Sequence, residues 1–224
     1  MKLLWLKQGW ESSQDLRELS EKATRLKLKM DIKSGPVIEK LCATHQGAVL
    51  FVDGAPTLDL SRLDTFQKST LVLLDGIEDP HNLGAILRTS WLVGAHGLII
   101  PEDRAVGLTP TAHKVACGGA EHVPVVELTS FANYIEELKK KGYWVFGLSH
   151  KATQTIYQFD IPDKVVWAVG AEDRGLRVTT ERLCDGLVSI PQLSAAASYN
   201  ASVAAGMTLG ETLRRHSHHG VPKK

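Results

Sequence analysis

The chain has 224 residues, 26 Lys and Arg against 25 Asp and Glu, and 43% hydrophobic residues, a composition typical of a globular protein. It contains no apolar run of the roughly 20 residues that a membrane helix needs, and residues 1–7 are too short for a signal peptide. A net charge of +1 excludes nucleic-acid binding by bulk charge alone but leaves room for local basic patches.

The three cysteines, Cys42, Cys117 and Cys184, are far apart in the sequence. This spacing fits neither a zinc pattern nor a disulfide framework. We therefore expect a cytoplasmic protein with no membrane segment and no metal. The histidines of the polar tail, residues 216–224, fit a flexible solvated end better than a metal site.

Residues 1–53 have the pattern of a small alternating unit. Ser13 is a suitable first residue for a helix, and Leu16, Leu19 and Ala23 recur at helical spacing as far as about Leu26. The other expected elements are an apolar run at 3–6, a helix near 37–42 and a strand at 48–52. A unit of this size buries only a modest core.

Residues 54–68 are polar and follow neither the helical nor the strand periodicity, which predicts a linker. Strand and helix patterns then alternate, which indicates an α/β domain with a largely parallel sheet covered on both faces. The strands are expected at 71–75, 97–100, 122–126, 143–148, 165–170 and 187–190. Helices are expected at 83–94, at 131–140 and from about residue 200.

Three segments that follow strands carry unusual polar or small residues. Residues 79–88 (DPHNLGAILR) place Asn82 as a helix N-cap and Arg88 off the apolar stripe, which also fits a capped helix with a solvated arginine. Residues 169–176 (VGAEDRGL) combine two glycines with two carboxylates, which also fits a plain polar turn. In residues 194–206, ten of thirteen are Ala, Ser or Gly, which also fits a tightly packed helix.

Together these segments resemble the three motifs of the SpoU (TrmH) family of RNA ribose 2′-O-methyltransferases, in the SPOUT class. Residues 79–89 resemble motif 1, residues 169–172 motif 2 and residues 190–204 motif 3. Residues 114–120 resemble a further family segment. The resemblance covers residues 69–215, which we expect to be the catalytic domain, while a dinucleotide fingerprint and a P-loop are absent from the sequence.

The resemblance implies an α/β-knot fold with a C-terminal trefoil knot, S-adenosylmethionine as cofactor, and a homodimer. The implied catalytic residues are Asn82, Arg88, Glu172, Ser198 and Asn200. The implied cofactor-binding residues are Leu148, Gly170, Ile190 and Tyr199. The chain departs from the family pattern at Asp173, Ser194 and Tyr199, where Gly, Gly and Leu are usual.

Residues 1–53 resemble the latter part of an L30e-like RNA-binding domain. The usual first helix has no counterpart, so either Met1 is not the natural start or the domain is trimmed. The basic residues Lys22, Arg25, Lys27 and Lys29 fit either a solvated face or a phosphate contact.

The function that the resemblance implies is S-adenosylmethionine-dependent 2′-O-methylation of a guanosine in 23S ribosomal RNA. Two alternatives stay open: a methyltransferase that acts on tRNA, and a knotted protein that binds RNA without catalysis.

Overall fold

The computed structural model describes residues 2–43, 45–52, 54, 56–103, 105–194 and 197–217. The chain divides into two units, residues 1–55 and 56–224. None of the helices in the described ranges has the length and apolar character to cross a membrane.

The first unit is a three-stranded mixed sheet with two helices. Ser13 begins the first helix as predicted, because its hydroxyl accepts a hydrogen bond from the Leu16 N–H at 3.5 Å. In sheet order β2-β1-β3, β1 pairs parallel to β2 and antiparallel to β3. In chain order, the elements are β1 (Leu3–Lys7), α1 (Gln14–Arg25), β2 (Lys29–Lys33), α2 (Gly35–Glu39) and β3 (Ala48–Phe51).

The sequence pattern missed strand β2. This strand lies at the edge of the sheet, where Met30 and Ile32 are 37% and 58% exposed. Leu4, Leu6 and Ala23 instead form a buried cluster in this unit, and Ile38 is also buried. Three of the five residues of β2 are charged (KMDIK), so its sequence lacks the apolar pattern that marks a buried strand.

The second unit is a six-stranded sheet in which every recorded pairing is parallel, in the order β6-β5-β4-β8-β7-β9. The predicted α/β class with a largely parallel sheet is thereby confirmed. Its strands are β4 (Ser69–Asp75), β5 (Gly97–Pro101), β6 (Val125–Leu128), β7 (Trp144–Leu148), β8 (Lys164–Gly170) and β9 (Gly186–Val188). Its helices are α3 (Pro80–Val93), α4 (Pro110–Ala116), α5 (Gly119–His122), α6 (Ala132–Lys140), α7 (Val178–Glu181) and α8 (Ala201–His216).

Strand β4 is buried along its whole length because it faces a separate core on each side. Val72 and Leu74 pack with helices α3 and α8, whereas Leu71 and Leu73 pack on the side of α6. Alternate side chains of a strand point to opposite faces, so a strand covered twice is apolar at nearly every position. This is why the sequence identified β4 so clearly.

The start of helix α3 differs from the expectation. Asp79, not Asn82, is the N-cap, since its carboxylate accepts a hydrogen bond from the His81 N–H at 2.9 Å. Proline is favoured in the first helical turn and Pro80 occupies it, so the helix begins three residues before the expected Leu83. Asn82 therefore lies within the first turn of the helix, and its predicted capping role is wrong.

Part of the predicted linker packs on the second unit. Leu58 and Leu63 are 9% and 1% exposed and belong to the core beside α6. The Val125 N–H also donates to the Pro56 carbonyl at 2.9 Å. The sequence did not predict this packing, because polar residues separate the two leucines.

Helices α3 and α4 approach each other closely through Gly84. A Cβ atom at this position would lie 2.6 Å from the Ala112 carbonyl oxygen and 2.7 Å from the Val115 side chain. Such a distance is a clash, so only glycine permits this packing. The contact holds residues 110–122 against the helix that carries Arg88.

Candidate functional site

Two loops meet at the carboxyl edge of the sheet, where ligands of parallel α/β proteins commonly bind. Strands β4 and β8 are neighbours, and their last residues, Asp75 and Gly170, are paired in register. The segments that follow them border a cavity of about 270 Å³. The lining residues are Gly76, Ile77, Glu78, Asp79, Asn82, Ala171, Glu172, Asp173, Arg174 and Ala201.

The loop after β8 is a tight turn that depends on Gly170. Ala171 and Gly175 exchange two backbone hydrogen bonds of 3.1 and 2.8 Å. A Cβ atom on Gly170 would lie 2.1 Å from the Gly175 carbonyl carbon. The loop therefore folds directly back over its own start, and this turn places Glu172 at the cavity.

Glu172 joins this loop to the segment before helix α8. The Ser198 hydroxyl donates to the Glu172 carbonyl oxygen at 3.0 Å, and the Asn200 amide donates to the Glu172 carboxylate at 3.4 Å. The Asn200 amide oxygen accepts from the Ser202 N–H at 2.9 Å and caps α8. The structure thus brings together three of the five proposed catalytic residues, and Asn82 lines the same cavity.

Arg88 lies apart from this group. It is exposed on α3, and its Nη1 donates to the Cys117 sulfur at 3.6 Å. Cys117 ends helix α4 with a φ of 48°, a left-handed conformation that is uncommon outside glycine. Arg88 is not among the cavity-lining residues. Asn82 thus lines this cavity, whereas Arg88 contacts the residue that ends α4.

Three of the four proposed cofactor-binding residues lie at the ends of neighbouring strands. Gly170 and Leu148 are the last residues of β8 and β7, and Ile190 follows β9 by two positions. Tyr199 lies further along the same loop, and its hydroxyl donates to the Pro191 carbonyl at 2.9 Å. This bond joins Tyr199 to the residue that follows Ile190. Residues 195 and 196 lie outside the described residues.

Carboxylates outnumber cations around the cavity. Glu78, Asp79, Glu172 and Asp173 face one cation, Arg174, which pairs with Asp173 at 3.1 Å and with Glu78 at 3.6 Å. The backbone N–H of His81 lowers the pKa of Asp79 by hydrogen bonding to its carboxylate. The charge favours a cationic ligand over a phosphate, although these exposed groups are strongly screened by water.

In the described ranges, no group of three or more His, Cys, Asp and Glu side chains is arranged to hold a metal ion. His216 contacts the Pro162 carbonyl at 3.1 Å. Residues 218–224, with the other tail histidines, lie outside those ranges.

The sequence did not single out Asp75 or Arg177. The Asp75 side chain is fully buried, and its carboxylate accepts hydrogen bonds from the Arg177 backbone N–H at 2.7 Å and from the Arg177 Nε. The sequence did contain a signal for Asp75, because it is a carboxylate at the end of an apolar strand. A charge buried in such a place needs a partner.

Comparisons with known proteins agree with the architecture. The sequence profile of the SpoU rRNA Methylase family matches residues 69–210. The chain is 38% identical to a 23S rRNA (guanosine-2′-O-)-methyltransferase RlmB of Neisseria meningitidis, over 95% of this chain and 86% of that protein. It is 39% identical to the RlmB of Shewanella oneidensis, over 95% and 88%.

A solved structure adds a likeness in fold. The chain is similar to the SpoU methyltransferase AviRb from Streptomyces viridochromogenes in complex with the cofactor AdoMet, with a TM-score of 0.82 and 25% identity. The alignment covers 95% of this chain and 82% of that one.

Proposed function

The chain belongs to the SpoU rRNA methylase family, and from this premise we propose that it methylates the ribose 2′-hydroxyl of a guanosine in 23S ribosomal RNA. S-adenosylmethionine is the methyl donor. The observation that carries the proposal is the contact of Ser198 and Asn200 with Glu172 beside a cavity that Asn82 also lines. The names of the relatives support the choice of a guanosine in 23S rRNA.

The residues present fit S-adenosylmethionine. Leu148 and Ile190 place apolar side chains at two neighbouring strand ends, and Gly170 ends the strand next to that of Leu148. The carboxylates of Glu172 and Asp173 suit the positive charge of a sulfonium. When bound, this cofactor supplies an activated methyl group that already carries its leaving group. We extend the proposal to the trefoil knot that the family resemblance implies.

The residues of the chain then have two tasks, which are to orient the ribose and to hold its hydroxyl where the proton can pass to a cavity carboxylate or to water as the methyl group is transferred. Asn82 and Glu172 border the cavity where the ribose would lie. A guanidinium is a poor base in water, so we assign Arg88 to binding the target phosphate and orienting the hydroxyl. Ser198 and Asn200 hold Glu172 in place.

Labelled S-adenosylmethionine tests the proposal directly. The chain is incubated separately with unmodified 23S rRNA and with tRNA, and the modified nucleotide is then mapped. We expect label in 23S rRNA on the ribose of one guanosine. Label confined to tRNA would contradict the rRNA assignment, and binding of rRNA with no transfer would favour a non-catalytic RNA-binding protein.

We also propose that the enzyme is a homodimer. Helices α3 and α8 pack against each other, yet apolar side chains on them are exposed: Trp91 40%, Leu92 70%, Val203 48% and Leu213 43%. Burial of this surface against a second copy would stabilise the dimer. A second copy would also bring another Arg88 into the assembly.

Sedimentation equilibrium measures the oligomeric state of the chain. We expect twice the 24.5 kDa of one chain, and Leu92→Glu should weaken the dimer by about tenfold or more because it buries a charge. Leu50→Glu, at a similarly exposed position of the first unit, serves as control. A wild-type monomer would contradict the proposal.

We propose that the first unit is an L30e-like RNA-binding domain. Lys22 and Arg25 lie in the last turn of α1, and Lys27 and Lys29 follow it, all with exposed side chains. They offer phosphate contacts without making the whole chain basic. A ribosomal RNA substrate also supports a location in the cytoplasm.

A further inference from the structure

Asp75 is a buried charge with a specific partner. It ends β4, its side chain is fully buried, and it accepts two hydrogen bonds from Arg177, one from the backbone N–H and one from the side chain. The Arg177 guanidinium carbon also lies 5.9 Å from the centre of the Phe131 ring. A carboxylate in such a site is stabilised only while its partner stays in place.

The pair connects the two loops of the site. Asp75 immediately precedes Gly76, which lines the cavity, and Arg177 follows the turn between Ala171 and Gly175. The start of that turn is fixed because Gly170 is in register with Asp75. Its end is fixed because Arg177 is bonded to the same Asp75. Asp75 is therefore linked to both ends of the loop that carries Glu172, through its strand pairing at the start and through its carboxylate at the end.

We propose that Asp75 is a positioning residue for methyl transfer, acting through Arg177 and the loop of residues 171–175 on Glu172. The inference rests on the proposed function, because Glu172 matters only if the site transfers a methyl group. Because its side chain is fully buried, Asp75 does not act on substrate directly. Its loss should change the rate of transfer more than the affinity for RNA, since the exposed basic residues lie elsewhere.

Asp185 provides a matched control. Its carboxylate accepts from the Lys139 Nζ at 2.6 Å and from the Val145 N–H at 2.8 Å, the same combination of a cation and a backbone donor. Val145 lies near the start of β7, whereas Asp75 ends β4. Strands β4 and β7 are both parallel to β8. Asp185 is therefore bonded near the amino ends of the strands, whereas the loop lies at their carboxyl ends.

The test compares Asp75→Asn with Asp185→Asn in the full chain. Steady-state methylation gives kcat and KM for RNA, and hydrogen exchange reports on residues 171–177. For Asp75→Asn we expect kcat to fall by about 10- to 100-fold, with KM changed by less than about threefold and faster exchange in the loop. Asp185→Asn should keep kcat and loop exchange close to those of the wild type. Thermal unfolding of both variants sets an assay temperature at which each is folded.

A second pair of variants serves if Asp75→Asn does not fold. Arg177→Lys keeps a cation and the backbone N–H for Asp75, whereas Arg177→Met keeps the length and removes the charge. We expect Arg177→Lys to retain most of kcat and Arg177→Met to lose it by at least about tenfold.

Failure of the inference is distinct from failure of the proposed function. Equal losses of kcat in Asp75→Asn and Asp185→Asn, or unchanged exchange at residues 171–177, would overturn the role of Asp75. A wild-type chain that methylates no RNA would overturn the proposed function. The exchange measurement would still decide in that case whether Asp75 holds the loop.

Discussion

Arg88→Lys is expected to lower kcat for methylation by about 100-fold, the loss typical for removal of one preorganised donor, while RNA binding stays within about threefold. Lysine keeps the positive charge but lacks the planar fork of donors that binds a phosphate and a hydroxyl together. Arg88 is exposed, and its contact with the Cys117 sulfur at 3.6 Å is weak. The free energy of unfolding of the variant should therefore differ little from that of the wild type.

Single-turnover methylation and filter binding of the same RNA separate the two effects. Arg182→Lys, at another exposed arginine of the second unit, provides the control and should match the wild type in both assays. Wild-type turnover in Arg88→Lys would show that a single charge suffices, and the assigned role in orienting the hydroxyl would be wrong.

Gly170→Ala is expected to abolish most cofactor binding. The new Cβ would lie 2.1 Å from the Gly175 carbonyl carbon, so the turn must move by more than about 1 Å to restore normal contact. Glu172 would move with it and leave Ser198 and Asn200. A displacement of this size costs roughly 100-fold in rate, and we expect a loss of similar size in affinity for S-adenosylmethionine.

Isothermal titration with S-adenosylmethionine measures the affinity, and circular dichroism checks that the variant is folded. Gly107→Ala is the control, because the nearest neighbour of its Cβ would be the Glu127 carboxylate at 3.7 Å, an ordinary contact. An affinity of Gly170→Ala equal to that of the control would mean that the turn does not shape the cofactor site.

The sequence predicted the parts of the fold whose burial is strong. Strands β4 and β8 carry unbroken apolar runs because helices cover both faces of the sheet. The segments that follow these two strands contain Asn82 and Glu172, and they were therefore predicted as candidate sites. The family motifs then assigned roles to those residues. In the structure, Ser198 and Asn200 of motif 3 contact Glu172 of motif 2.

Other features have no local signature. Helix α4 contains few large apolar residues because it packs closely through Gly84, so its pattern is weak. Asp75 and Arg177 are separated by 102 positions in the chain, and only the β4–β8 pairing brings them together. Asp79 and Asn82 are both suitable N-caps for α3. The helix begins at Pro80, which makes Asp79 the cap, and the apolar periodicity does not register a proline in the first turn.

Asn200 imposes a constraint on how this protein tolerates mutation. Its amide oxygen caps helix α8 and its amide nitrogen donates to Glu172, so one side chain serves both the integrity of a 16-residue helix and the site. Aspartate would retain the cap but set a second negative charge against Glu172, and serine or threonine would cap without reaching it. We therefore expect substitutions at position 200 to lose either the cap of α8 or the contact with Glu172.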